Sequence, residues 1–273
     1  MLNKYKLLVS DIDGTITDGN GVISAVDLKA IRDLQQAGIT LSLCTGHAAR
    51  GCQKVLDRIL SDSFHIFFDG ALVCNADLSE VIYARPITKD LVGEICNMAH
   101  SYGMTLELFS KAQFFVEYED PLAKVHSDLM NFKFAVKDFT VVCNHESIVM
   151  GCLVMLVAEE KIFKPLLSEF GDNLKVKFSW TMNTARPDIY LVNVFKDDVS
   201  KGNALIALCA HLGLNLEQVV AIGDGSNDIS LLETAGLAIA MQNAPPELKA
   251  VADHVTADIA HNGFAQAVRK YLL

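Results

Sequence analysis

Two carboxylates stand one residue apart in Asp11-Ile12-Asp13-Gly14-Thr15, where a short apolar run, 7–9, comes to an end. Side chains two apart on a strand point the same way, so Asp11 and Asp13 can crowd into one site, where like charges repel unless a cation or a shared proton compensates. Gly14 permits a tight turn or a close approach of backbone to an anion, and Thr15 adds a hydroxyl. Taken alone, such a pair reads as the polar start of a loop after a core strand. Further along, an apolar run at 39–44 ends in Thr45-Gly46-His47, and another at 218–222 ends in Gly223-Asp224-Gly225-Ser226-Asn227-Asp228. Lys201, followed by Gly202, opens a helical pattern. Brought together, these pieces suit phosphoryl transfer: a carboxylate can attack phosphorus when a divalent cation and a lysine offset the charge on both partners. Asp11, Asp224 and Asp228 are hard oxygen ligands suited to Mg²⁺, which would neutralise an otherwise improbable cluster of acids. Thr45 can donate its hydroxyl, the loop backbones their amides, and Lys201 a point charge to a phosphoryl oxygen.

The elements that must position these groups alternate. After the first strand, Ser24 is an N-cap candidate with Asp27 three residues on, and Leu28, Ile31 and Leu34 form an apolar stripe that Gly38 stops. The run 39–44 reads as a strand, 48–60 as a helix, 64–68 as a third strand and 71–83 as a hairpin turning near Asn75-Ala76-Asp77. Around Arg85-Pro86 the rhythm changes. Helices at 89–101 and 161–170 then mix with strands near 106–108, 114–117, 152–157, 175–180 and 189–192. The α/β rhythm resumes with a helix at 201–212, a strand at 218–222, a helix at 227–234, a strand at 237–241 and a last helix at 264–271. The reading is an α/β fold in which residues 1–84 and 191–273 form one doubly wound, Rossmann-like parallel-sheet core, interrupted by an α+β insert at 85–190. In such a sheet, functional residues gather beyond the carboxyl ends of the strands, where Asp11, Thr45 and Asp224 fall.

The chain's 273 residues, 51% of them hydrophobic and 21% charged, suffice for one large or two modest cores. A net charge of −10, with no basic cluster, disfavours nucleic acid and acidic membranes as partners. No long apolar segment free of charges or breakers is present, and seven scattered cysteines form no Cys-x-x-Cys pair. A cytoplasmic protein with reduced, mostly buried thiols is expected.

The motifs Asp-Ile-Asp-Gly-Thr-Ile-Thr-Asp from Asp11, Cys-Thr-Gly-His from Cys44, Val-Ser-Lys-Gly from Val199 and Gly-Asp-Gly-Ser-Asn-Asp from Gly223 resemble, in that order, those of the haloacid dehalogenase superfamily of Mg²⁺-dependent aspartyl phosphotransferases. The insert resembles a C2-type cap, and the most similar group is the Cof-like phosphatases of sugars and other small molecules. The resemblance spans the whole chain. It implies a phosphatase with Asp11 as the nucleophile that becomes an aspartyl phosphate, and Asp13 as general acid and then base. It further implies Mg²⁺ held by Asp11, Asp224 and the main-chain carbonyl of Asp13, with Asp228 beside it. Thr45, Gly46 and Lys201, together with Gly14, would bind the phosphoryl group, and Asn227 would orient Lys201 or the substrate. The implied partner is a small phosphorylated metabolite, with a cap closing over the site, and nothing fixes an oligomeric state. A sugar phosphomutase of the same superfamily is the alternative enzyme, and a noncatalytic phospho-ligand binder or receiver-like module the alternative outside enzymes. Retention of both Asp11 and Asp13 weighs against the last, since a binder needs no acid two residues past the nucleophile.

Some positions depart from the family pattern. Relatives commonly carry Arg where this chain has His47, so either Arg50 reaches the same place or the guanidinium is dispensed with, and His47 reads equally well as a helix-start residue or a ligand. Asp69 falls where relatives usually have Asn, and a turn role is the plainer reading. Gly223-Asp224-Gly225 lacks the third glycine of a dinucleotide loop, and an acid there would repel a pyrophosphate. Cys44, Cys52 and the aromatics Phe109, Phe114, Phe115, Tyr118 and Trp180 are read as packing.

Overall fold

A computed structural model describes residues 4–130, 132–182 and 186–273. The chain divides into two compact units, Met1–Ala84 with Ser200–Leu273, and Arg85–Val199.

The first unit is built on a five-stranded parallel sheet in the order His254–Val255, Leu237–Ala240, Val219–Gly223, Leu7–Ser10, Thr40–Leu43. Strands Leu7–Ser10 and Val219–Gly223 are buried throughout, as continuous apolar runs must be when helices cover both faces of a sheet. Those helices include Ala25–Gln36, Gln53–Ile59, Lys201–Leu212, Ile229–Thr234 and Gly263–Tyr271. Ser24 caps the first of them as expected, accepting from the amide of Asp27. Strand Phe64–Phe67 joins this sheet through one parallel bridge, Cys44 to Ile66, and pairs instead with Leu72–Asn75, which pairs with Val81–Ala84. Side chains take the place of a continuing ladder there. The Leu43 amide donates to His65 Nδ1 at 3.0 Å, and Ser42 Oγ donates to the Phe64 carbonyl at 2.8 Å.

The second unit carries a six-stranded sheet in the order Val176–Met182, Ile189–Lys196, Ile148–Leu156, Thr105–Ser110, Phe114–Val116, Ala135–Val136, antiparallel except for the last pair. Its main core gathers Leu106, Leu108, Leu153, Met155, Val192 and Val194 with Val92, Ile95 and Leu167 from helices Lys89–Tyr102 and Glu160–Leu174. The return to the α/β unit expected at 191 comes instead at Ser200. Residue 191 lies inside strand Ile189–Lys196, whose two neighbours both belong to the insert. An alternating apolar pattern shows that a strand is there without saying which sheet it joins.

Candidate active site

Strands Leu7–Ser10 and Val219–Gly223 are neighbours in parallel register, Ser10 opposite Ile222, so the loops that follow them leave the sheet side by side. The Asp11 amide donates to the Ile222 carbonyl at 2.9 Å, which fixes Asp11 at the strand end. Its side chain is buried, as is Lys201 on the first turn of helix Lys201–Leu212. Lys201 Nζ donates to Asp11 Oδ1 at 2.7 Å, to Asp228 Oδ1 at 2.5 Å and to the Cys44 carbonyl at 3.2 Å. All three hydrogens of the ammonium are thereby used, and three strand ends converge on one cation.

Asp228 closes the loop after Val219–Gly223 from within, its Oδ2 accepting from the amides of Asp224 and Gly225 at 3.0 Å each. Asp224 is positioned from outside. Thr15 Oγ1 donates to its Oδ1 at 3.0 Å, and Asn243 Nδ2 donates to its Oδ2 at 2.9 Å and to the Gly14 carbonyl at 3.1 Å. Gly14 has φ +80°, and a Cβ there would stand 2.2 Å from Asp224 Oδ2, so only glycine lets the two loops approach.

Oxygens of Asp11, Asp224 and Asp228 lie within 4.8 Å of one another. Burial lifts the Asp11 carboxyl well above the ordinary range, opposed by Lys201 and reinforced by the charge on Asp228. Burial likewise raises Asp224 to about 6, with a hydrogen bond from Thr15 pulling the other way and Asp228 adding to the rise. For Lys201, burial favours the neutral amine, but Asp11 and Asp228 together outweigh it and hold the ammonium charged. One lysine thus stands against three acids. This surplus of hard oxygen donors fits a divalent cation of the Mg²⁺ type, whose charge would offset the burial, and the lesser repulsion, that raise Asp11 and Asp224.

The Asp13 carboxylate lies outside that cluster. Its side chain is 55% exposed, accepts from Thr17 Oγ1 at 3.3 Å and stands 3.3 Å from His47 Nε2. His47 therefore faces the second carboxylate of the pair, while Arg50 is exposed on the turn Ala49–Cys52. Thr45 is buried, and its Oγ1 accepts from the His47 amide at 3.2 Å in the manner of a cap. Asn227 Nδ2 donates to Asp69 Oδ1 at 2.8 Å; its partner is Asp69 and not Lys201, whose hydrogens are already used.

Asp69 is more than the turn residue read from sequence. Phe68, Asp69 and Gly70 have φ of +52°, +51° and +100°, a left-handed run that costs the two non-glycine residues on the order of 1 kcal/mol each. The turn is buried, and it brings the Asp69 carboxylate beneath Gly46, where a Cβ would meet Oδ1 at 3.1 Å. Asp69 thus ties the Thr45-Gly46 loop to the Asn227 loop. Asn243 was not singled out by sequence, because an Asn in a short turn is ordinary. Cys44 is buried as expected, and its contribution is the carbonyl that accepts from Lys201.

A family model of haloacid dehalogenase-like hydrolases matches residues 8–268, and the chain belongs to that family. The Bacillus subtilis protein YxeH is 28% identical over 98% of this chain and 99% of its own length. A phosphoglycolate phosphatase of Methanothermobacter thermautotrophicus is 26% identical over 98% of this chain and 99% of its own. The Arabidopsis thaliana protein named endoribonuclease YBEY, chloroplastic, is 25% identical over 98% of this chain, which spans 47% of that protein's length. Among solved structures, a haloacid dehalogenase-like hydrolase from Bacteroides thetaiotaomicron superposes with a TM-score of 0.84 at 24% identity, covering 97% of this chain and 99% of that one, which shows the shared α/β fold. Among the described residues, no helix is long and apolar enough to cross a membrane.

Proposed function

We propose that this chain hydrolyses small phosphate monoesters in two steps through an aspartyl phosphate on Asp11, with Mg²⁺ as cofactor. The observation that carries the reading is the buried group of Asp11, Asp224 and Asp228 around Lys201, a site with one fixed cation and room in its charge balance for another. Asp11 Oδ1 is tied to Lys201, which leaves Oδ2 to attack phosphorus as the bond to the leaving alkoxide breaks. Asp13, on the open side of the loop, gives its proton to that alkoxide. In the second step the Asp13 carboxylate takes a proton from water, the water oxygen bonds to phosphorus, and the Asp11 carboxylate leaves. Lys201 and the Thr45-Gly46 and Gly14 backbones bind the phosphoryl oxygens. Mg²⁺, held by Asp11, Asp224, Asp228 and the Asp13 carbonyl, would supply neutralising charge to the acids and the phosphoryl group together.

The substrate is read as a small phosphorylated metabolite, in keeping with the phosphoglycolate phosphatase among the relatives and with the acidic net charge. A cytoplasmic setting is supported by seven free cysteines. The test is inorganic phosphate release from a panel of sugar and small-acid phosphates with Mg²⁺, with EDTA, and with Asp11→Asn. Mg²⁺-dependent release that falls on the order of 10⁴-fold in Asp11→Asn is expected. Full activity in EDTA, or in Asp11→Asn, would overturn the proposal.

A further inference from the structure

We infer that Glu107, His126 and Cys152 of the insert form a binding site for a zinc-like divalent ion. Glu107 and Cys152 are directly opposed in the antiparallel strands Thr105–Ser110 and Ile148–Leu156, so both side chains leave the same face of the sheet. Helix Pro121–Met130 packs over that face and presents His126, whose Nδ1 is 2.6 Å from Glu107 Oε2. Donor atoms of the three residues lie within 4.8 Å of one another, and all three residues are buried. Their surroundings are apolar. Phe109 and Phe114 stack on each other with centroids 4.6 Å apart, and each turns its ring toward His126, at 6.3 and 6.1 Å.

A buried carboxylate in such a place needs partners for both oxygens, and Glu107 Oε1 has none. A simple acid–imidazole pair accounts for Oε2 and leaves Oε1 without a partner, while the Cys152 thiol makes only a long, 3.9 Å hydrogen bond to the Leu153 carbonyl. A metal ion accounts for all three residues at once. The donor set also selects the ion: thiolate, imidazole and carboxylate suit zinc, whereas the all-oxygen set of Asp11, Asp224 and Asp228 suits Mg²⁺. The charges of one thiolate and one carboxylate balance a divalent ion, so that the filled site is neutral within its apolar shell. On binding, the Cys152 thiol proton leaves to solvent and His126 ligates as a neutral ring. Three protein donors leave the fourth position of a tetrahedral ion for water.

The test uses the whole chain, stripped with a chelator and titrated with Co²⁺ in excess Mg²⁺, which occupies hard oxygen sites. The expected result is a near-ultraviolet thiolate-to-cobalt charge-transfer band that saturates at about one ion per chain and is displaced by Zn²⁺. The band should vanish in Cys152→Ser, persist in Cys44→Ala, and need about 10- to 100-fold more Co²⁺ in His126→Gln. No band in the wild-type chain, or a band that survives in Cys152→Ser, would overturn the assignment and leave a buried acid–imidazole pair beside a thiol. The wild-type titration decides the matter even if a variant fails to fold, and it reads an absorption band independent of phosphatase turnover.

Discussion

The acid cluster of the α/β unit and the Glu107–His126–Cys152 group of the insert both carry ionisable side chains into a protein interior, but they occupy different parts of their sheets. Asp11, Asp224 and Asp228 stand where parallel strands end, on loops whose backbone amides and hydroxyls point inward and whose central cation, Lys201, arrives from a separate helix. Glu107 and Cys152 stand in mid-strand, where the backbone groups are committed to the ladder and only side chains can meet. A strand-end site can therefore be tuned by loops while the sheet stays intact. A mid-strand site is rigid and closed, suited to holding something and poorly suited to turning anything over.

Removing the cation should break the strand-end cluster most severely. Lys201→Met leaves Asp11 and Asp228 buried with nothing opposite them, and a loss of about 3–5 kcal/mol in unfolding free energy is expected by urea denaturation, along with loss of turnover. Because the surplus is one of negative charge, Mg²⁺ should restore more stability to this variant than to the wild-type chain. Equal effects of Mg²⁺ on both would argue that the acids do not share a cation site.

A smaller effect should come from the tie between the loops. Asp69→Ala removes the acceptor for Asn227 while leaving Asp11, Lys201 and Asp224 in place, and kcat/KM should fall about 10- to 100-fold through displaced loops. Asp69→Asn, which tolerates the left-handed backbone and keeps an acceptor, should recover most of it. If alanine keeps the kcat/KM of the wild-type chain, the tie between the loops contributes nothing to turnover.

The same contrast explains what could be read from the sequence. Catalysis at strand ends compresses chemistry into short motifs, so Asp11-Ile12-Asp13-Gly14 and the Asp224 to Asp228 run pointed to the site, and βαβ alternation gave its sheet. Asp69 was legible as a turn but not as a tie, because its value depends on a strained backbone that brings it beneath Gly46. Asn243 was invisible for a similar reason, since its two acceptors lie on separate loops, one 19 and the other 229 residues away. The insert's triplet leaves no local pattern at all: Glu107, His126 and Cys152 come from two strands and a helix, and only strand register and packing unite them. The return point near residue 191 failed likewise, because strand membership is decided by partners and not by the strand's own residues.

The central claim, that Asp11 becomes covalently phosphorylated, is tested most directly by rapid acid quenching of the enzyme during turnover of a ³²P-labelled ester, followed by peptide mapping. Acid-stable, base-labile label on the peptide containing Asp11, absent in Asp11→Asn and forming no more slowly than phosphate is released, is the expected result. Turnover with no protein-bound label at any quench time, together with retained activity in Asp11→Asn, would contradict the account and assign the attack on phosphorus to water directly.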